Sequence, residues 1–151
     1  MTEQSFWKQL TRFSYNGRER MLDTIRVLRE AYRNNLGIMC AVRHTAPDTL
    51  NQLYVNRDEA NPDRAGNRYM LCYTNRDMAE SDKSLPEAPE KLPLRFVVDN
   101  ALNKPVIGGL VFNRHASDRM LIIPKQFLGN KALEVYKRIL SDHPDPFMFD
   151  D

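Results

Sequence analysis

The sequence predicts a single α+β domain, with a mainly antiparallel sheet and helices from both ends of the chain packed on it. Three observations carry this expectation. Apolar residues recur at helical spacing within residues 1–36 and again over 130–140. The middle of the chain breaks into short β-rich runs, and Val106 to Leu128 sets two such runs around a polar loop, the pattern of a hairpin. Helices, then strands, a short helix, a hairpin and a final helix form an order of segregated rather than alternating elements. A chain of 151 residues buries roughly 68–70% of its unfolded surface, enough for one core without cross-links.

Taken in order, Phe6, Trp7, Leu10 and Phe13 mark a short amphipathic helix with an aromatic face. Asn16 is placed to cap a second helix with Glu19 three residues on. Met21, Leu22, Ile25, Leu28 and Tyr32 form its buried stripe, and Gly37 after Asn34-Asn35 is read as its stop. Arg18, Arg26, Arg29 and Arg33 lie off that stripe among Asp23 and Glu30, as on a solvated face with i,i+4 ion pairs. Ile38 to Val42 and Gln52 to Val55 read as strands. The turn-rich stretch from Asn61 to Asn67 then leads into an alternating strand, with Tyr69, Leu71 and Tyr73 on one face and Met70 and Cys72 on the other.

Thr74 is expected to start a helical turn, with Asp77 at the capping-box position and Met78 and Ala79 inward. Ser84 to Pro93, with three prolines among Glu and Lys, reads as a surface loop. Leu94 to Leu102 mixes a strand-like Phe96-Val97-Val98 with longer helical spacing, and the longer pattern favours a helix. The hairpin follows, closed by Pro124. The last helix spans about Asn130 to Leu140, with Ala132, Leu133, Tyr136, Ile139 and Leu140 inward, and His143-Pro144 ends it.

Composition excludes several trades. The net charge of +2, from 22 basic and 20 acidic residues, is no electrostatic footprint for nucleic acid. Mean hydropathy is −0.58, and no run approaches the ~18 apolar residues of a membrane span. With no signal-like start, the chain is expected to be cytoplasmic. Cys40 and Cys72 fit neither a zinc knuckle nor a CxxC pair; two buried thiols are favoured over a disulfide.

Catalytic chemistry is sought without success. No serine sits in a strand-turn-helix glycine frame, and His44, His115 and His143 share no ligand spacing. The segment from Asn61 fails as a calcium loop, because Ala65 and Cys72 stand at ligand positions. Gly108-Gly109 marks the start of a strand where a side chain would clash. No catalytic residue, metal site or cofactor is therefore assigned.

Two candidate surfaces remain. In the acidic-aromatic tail, residues 142–151, Phe147, Met148 and Phe149 stand beside Asp150 and Asp151. The alternatives are docking on the body, worth ~1.5–3 kcal/mol per buried side chain, or a tag for a partner. The second is a sheet–helix pocket in which Tyr69, Tyr73 and His115 are lining candidates.

The strand segments Leu53-Tyr54-Val55, Tyr69 to Thr74, Gly109-Leu110-Val111-Phe112-Asn113 and Leu121 to Pro124 carry a family pattern: an apolar run ending in Tyr, another ending in Tyr-Thr, and a Gly-Leu-Val-x-Asn strand followed by an apolar strand. In this the chain resembles the N-terminal domain of the SseB family (enhanced serine sensitivity proteins) over about residues 50–128. It departs where Arg114 follows Asn113 in place of Pro, and nothing like the family's separate C-terminal domain follows.

The resemblance implies a small bacterial cytoplasmic module of residues 1–151, without an established reaction or transferable catalytic residues. The function expected is a non-enzymatic protein-interaction or regulatory module. The alternatives are an immunity-type protein that neutralises a toxin, or a small-molecule sensor or minor enzyme. The partner expected is another protein, a toxin or a metabolic enzyme, with a homodimer also open and no nucleic-acid or membrane partner.

Overall fold

The computed structural model describes residues 21–46, 49–61, 63–116, 120–129 and 131–142. The aromatic helix expected around Phe6 to Phe13 lies outside them, as does the segment 143–151. Helix α1 (Met21–Arg33) buries Ile25, Val27, Leu28 and Ala31. It ends at Asn35 rather than Gly37: Asn35 takes the left-handed conformation at φ 51°, and the Leu36 N–H reaches back to the Ala31 carbonyl at 3.0 Å. Asn tolerates that conformation, so Gly37 is released to open strand β1 (Gly37–Cys40).

β1 bends at Ala41 into β2 (Val42–Ala46), which pairs with β3 (Thr49–Gln52) as a separate two-stranded arm. Leu53 breaks the return run, and β4 (Tyr54–Asn56) then forms a hairpin with β5 (Arg68–Tyr73). β4 pairs with Arg68 to Met70 of β5, whereas β1 pairs with Cys72 and Tyr73. Both thus lie on one edge of β5 in succession, joined where Ala41 donates to Leu71, Leu71 to Leu53 and Leu53 to Ala41. Their continuations are left to pair with each other, and the arm results.

After β5, helix α2 (Arg76–Ser81) is capped by Asn75, whose Oδ1 accepts from the Met78 N–H at 2.7 Å. Thr74, expected as the cap, is held instead by Asn113. The stretch 84–93 is not all loop: its end forms β6 (Glu90–Pro93), an edge strand beside β1. Helix α3 (Leu94–Asn103) follows, as the longer periodicity predicts.

β7 (Ile107–Phe112) and β8 (Leu121–Pro124) are the antiparallel hairpin, and a 3-10 turn (Lys125–Phe127) leads to α4 (Ala132–Asp142). The sheet order is β6-β1-β5-β7-β8, with β4 on β5. It is mainly antiparallel; the β5–β7 pair is parallel, because the chain crosses over through α2, β6 and α3 between them.

Both sheet faces are covered. α1, α3, the 3-10 turn and Ala132 pack on Met70, Cys72, Leu110, Phe112 and Ile123 to make the larger core. Tyr69, Leu71, Tyr73 and Val111 face the other way, onto Met78 and Ala79 of α2. The expected alternation of β5 is therefore observed. Cys40 and Cys72 are register partners across β1 and β5, buried as free thiols.

Candidate functional site

Two places in this frame gather chemistry. The first lies at the carboxyl ends of the parallel strands β5 and β7, where open sheets with such strands tend to place ligands. Asn113 leaves β7 at φ 54° and is buried. Its side chain accepts from the Thr74 N–H at 3.1 Å and donates to the Thr74 hydroxyl at 3.1 Å, clamping the two strand ends.

That turn delivers Arg114 to the buried Asp82, Nε to Oδ2 at 3.0 Å. Tyr73 donates its hydroxyl to the same oxygen at 2.5 Å, and Ser84 donates to Oδ1 at 2.6 Å. Burial pushes the Asp82 carboxyl up, but hydrogen bonds from Ser84, Tyr73 and Arg114 outweigh it and hold the group well below the usual carboxylate range. Burial, then the bond to Asp82, raises the Tyr73 phenol. Asp82 is ionised and saturated with donors, so this cluster is a clamp and offers no general base.

Beside it, His115 stands over the Tyr73 ring at 5.8 Å between centroids, and its Nε2 is 2.7 Å from Ser81 Oγ. The Ser81 hydroxyl also lies 2.9 Å from the Met78 carbonyl, to which it donates. It then accepts from Nε2–H, the reverse of the polarity that activates a nucleophile. Tyr69, the third pocket candidate, is not part of this group. It is buried four residues back along β5, against Gly108 and Gly109, where an added Cβ would come within 2.8 and 2.9 Å of its ring.

The second place is a groove on the opposite face, between α1, α3 and the 3-10 turn, with a volume of about 160 Å³. Leu28, Val98, Leu102 and Phe127 give it an apolar floor, and Leu102 is 39% exposed. Arg29, Arg33, Tyr32 and Asp99 are its polar wall. Asp99 accepts from the Tyr32 hydroxyl at 2.7 Å, a bond that, followed by burial, raises the phenol. Arg95 donates to the carbonyls of Tyr32 and Arg33 at 2.7 and 2.8 Å, closing the carboxyl end of α1.

Among the described residues, no carboxylate pairs with Arg29 or Arg33. Glu30 takes the Asn34 side chain at 3.0 Å. The helix dipole accounts for Arg33 in the last turn but not for Arg29. Sequence reading missed the groove because its walls lie more than sixty residues apart. The signal present was the Arg29/Arg33 pair bordering the Leu28 stripe.

The tail candidates Phe147, Met148, Phe149, Asp150 and Asp151 lie outside the described residues. Among the described residues, no group of three or more His, Cys, Asp or Glu could hold a metal ion, and no helix is long and apolar enough to cross a membrane. No family model, curated protein or solved structure matches the chain.

Proposed function

We propose that this protein is a non-enzymatic, cytoplasmic protein-interaction module of the SseB N-terminal kind, which takes an acidic segment with an apolar anchor in the α1–α3 groove. The observation that carries the reading is the pair of arginines, Arg29 and Arg33, that meet no carboxylate among the described residues and border an apolar floor. Anchors inserted into such floors concentrate binding energy, and Arg supplies bidentate contacts to carboxylates. At about 160 Å³ the groove is smaller than the ~300–1,000 Å³ of small-molecule sites, which favours an inserted side chain over a metabolite. The family reading draws support from placement: its four matching segments fall on β4, β5, β7 and β8, which are neighbours in the sheet.

The test compares the tagged protein with its Arg29→Glu/Arg33→Glu variant in affinity capture from native lysate, with folding checked by thermal melting. The expected result is a stoichiometric partner held by the wild type and lost by the folded variant. A toxin would make the module an immunity protein, and a metabolic enzyme would make it a regulator. Equal capture by both proteins, or capture by neither, would refute the groove as the binding surface.

A further inference from the structure

The α1–α3 groove offers three kinds of contact within the span of one residue. We infer that it takes the C-terminal residue of a partner chain, an aromatic one, with its ring on the apolar floor and its free α-carboxylate on Arg29 and Arg33. The inference rests on the reading of the groove as a protein-binding surface, and it names the end of the partner that enters.

Size, charge and chain geometry carry it. The groove over Leu28, Val98, Leu102 and Phe127 measures about 160 Å³, and a cavity of about 150 Å³ lined by Leu, Ile and Phe takes one benzene ring. One ring therefore fills it. Arg29 and Arg33 stand one turn apart on a single face of α1, both on the groove wall, and meet no carboxylate among the described residues. Asp99, on the facing helix, accepts from the Tyr32 hydroxyl through Oδ1 at 2.7 Å, and no described residue donates to its Oδ2. Arg95 lies over the Tyr32 ring, 5.5 Å from its centroid, so three cations outweigh this one carboxylate and the charge favours an anion. A chain terminus matches the set from one Cα: ring, carboxylate, and a backbone N–H to donate to Asp99 Oδ2. An internal acid matches it less well, because the residue beside the anchor in an extended segment points to the opposite face. Capture of a C-terminal carboxylate is a recurring mode of peptide recognition, and Arg makes the contact bidentate.

The experiment is amide NMR of the full chain titrated with the synthetic peptide acetyl-Gly-Ser-Gly-Ser-Gly-Phe as its free acid. The controls are its C-terminal amide, the same peptide ending in Ala, and acetyl-Gly-Ser-Phe-Asp-Gly-Ser amide, which sets an acid beside an internal anchor. The free acid should shift Leu28, Arg29, Val98 and Leu102. The amide should bind about tenfold more weakly, the order of two exposed ion pairs, and the Ala peptide should lose about tenfold or more with the ring. In the folded Arg29→Gln/Arg33→Gln variant the acid and the amide should bind alike, a convergence that a structural role of the arginines would not produce. Equal binding of acid and amide to the wild type, or an advantage of the acid that survives the Gln substitutions, would overturn the inference. So would free phenylalanine binding as tightly as the peptide, because the groove would then be a metabolite site. If the internal peptide binds the groove better than the free acid, this inference falls and the acidic-segment reading stands. If lysate capture depends on the arginines while no peptide reaches the groove at millimolar concentration, this inference alone falls. If the free acid binds as expected but capture ignores the arginines, the terminal-carboxylate site stands and the reading drawn from the lysate falls.

Discussion

Asn113 decides the end of β7 by two properties at once. Its left-handed backbone turns the chain, and its amide occupies both the donor and the acceptor of Thr74. The next residue, Arg114, is then committed to Asp82. Asp82→Asn should destabilise the protein by about 1–3 kcal/mol, below the usual cost of breaking a fully buried pair because Arg114 stays partly exposed. The sign with pH follows from the lowered carboxyl: its stabilisation is full above ~4, the unfolded value, and is lost as pH falls through the lower folded value. Urea midpoints of the two proteins should therefore differ at pH 6 and approach each other progressively as pH falls below ~4. Gly109 makes a second demand, since an added Cβ would lie 2.1 Å from the Ile123 carbonyl oxygen. Gly109→Ala should cost about 3 kcal/mol, the upper range for overpacking, measurable as a lowered midpoint at unchanged slope.

The β2–β3 arm is tied to the body at its base, where Val42 joins the larger core and Gln52 accepts from Asn100 at 3.1 Å, and again through His44. His44 lies with Nδ1 2.8 Å from Glu87 and Nε2 3.0 Å from Glu90, while its backbone N–H also reaches Glu87 at 3.0 Å. The hydrogen bond to Glu87 raises the imidazole, and the same bond lowers the Glu87 carboxyl. A raised histidine contributes fully below its unfolded value of ~6.5 and stops contributing as pH climbs through the folded value. An NMR titration should place His44 above 6.5 and return it towards that value in Glu87→Gln. Amide exchange over Arg43 to Asn51, corrected for intrinsic pH dependence, should lose protection as pH rises past the His44 midpoint. Unchanged protection across that midpoint would show that the backbone bond and the contacts at the base secure the arm by themselves.

At the scale of the molecule, the two-faced sheet buries both thiols beneath α1 and α3, Cys40 at 0% and Cys72 at 1% exposure. The Cys40 hydrogen bond and burial push the Cys72 thiol well up, so almost no thiolate is presented at neutral pH. Reaching either sulfur requires opening the larger core rather than a loop. Labelling with a thiol reagent at pH 8 should therefore proceed at the global opening rate, the same for both cysteines, and accelerate in step with urea-induced unfolding. Rapid labelling of one cysteine in the native protein would place it in a locally opening segment instead. The groove behaves in the opposite way: the Arg29 and Arg33 side chains meet no carboxylate among the described residues, so reversing them should cost no more than about 1 kcal/mol, chiefly the helix-dipole contribution of Arg33 in the last turn.

The sequence by itself determined which faces are buried. The alternation of Tyr69 to Tyr73, the helical spacing of Leu94 to Leu102, the clash-free Gly108-Gly109 and the β7–β8 hairpin are local patterns of period two or 3.6, and each is present in the fold. Tertiary structure alone decided who pairs with whom. β6 is a charged tetrapeptide that becomes a strand because the β1 edge lies beside it, and the polar β2 and β3 are strands because β1 and β4 are pinned in succession to β5. Asn35 and Asn75 took over the expected stop and cap, since a terminus is settled by whichever side chain or backbone reaches its orphan groups. The groove belongs to the same class: Tyr32 and Asp99 meet across 67 residues, and no local period records a separation of that length.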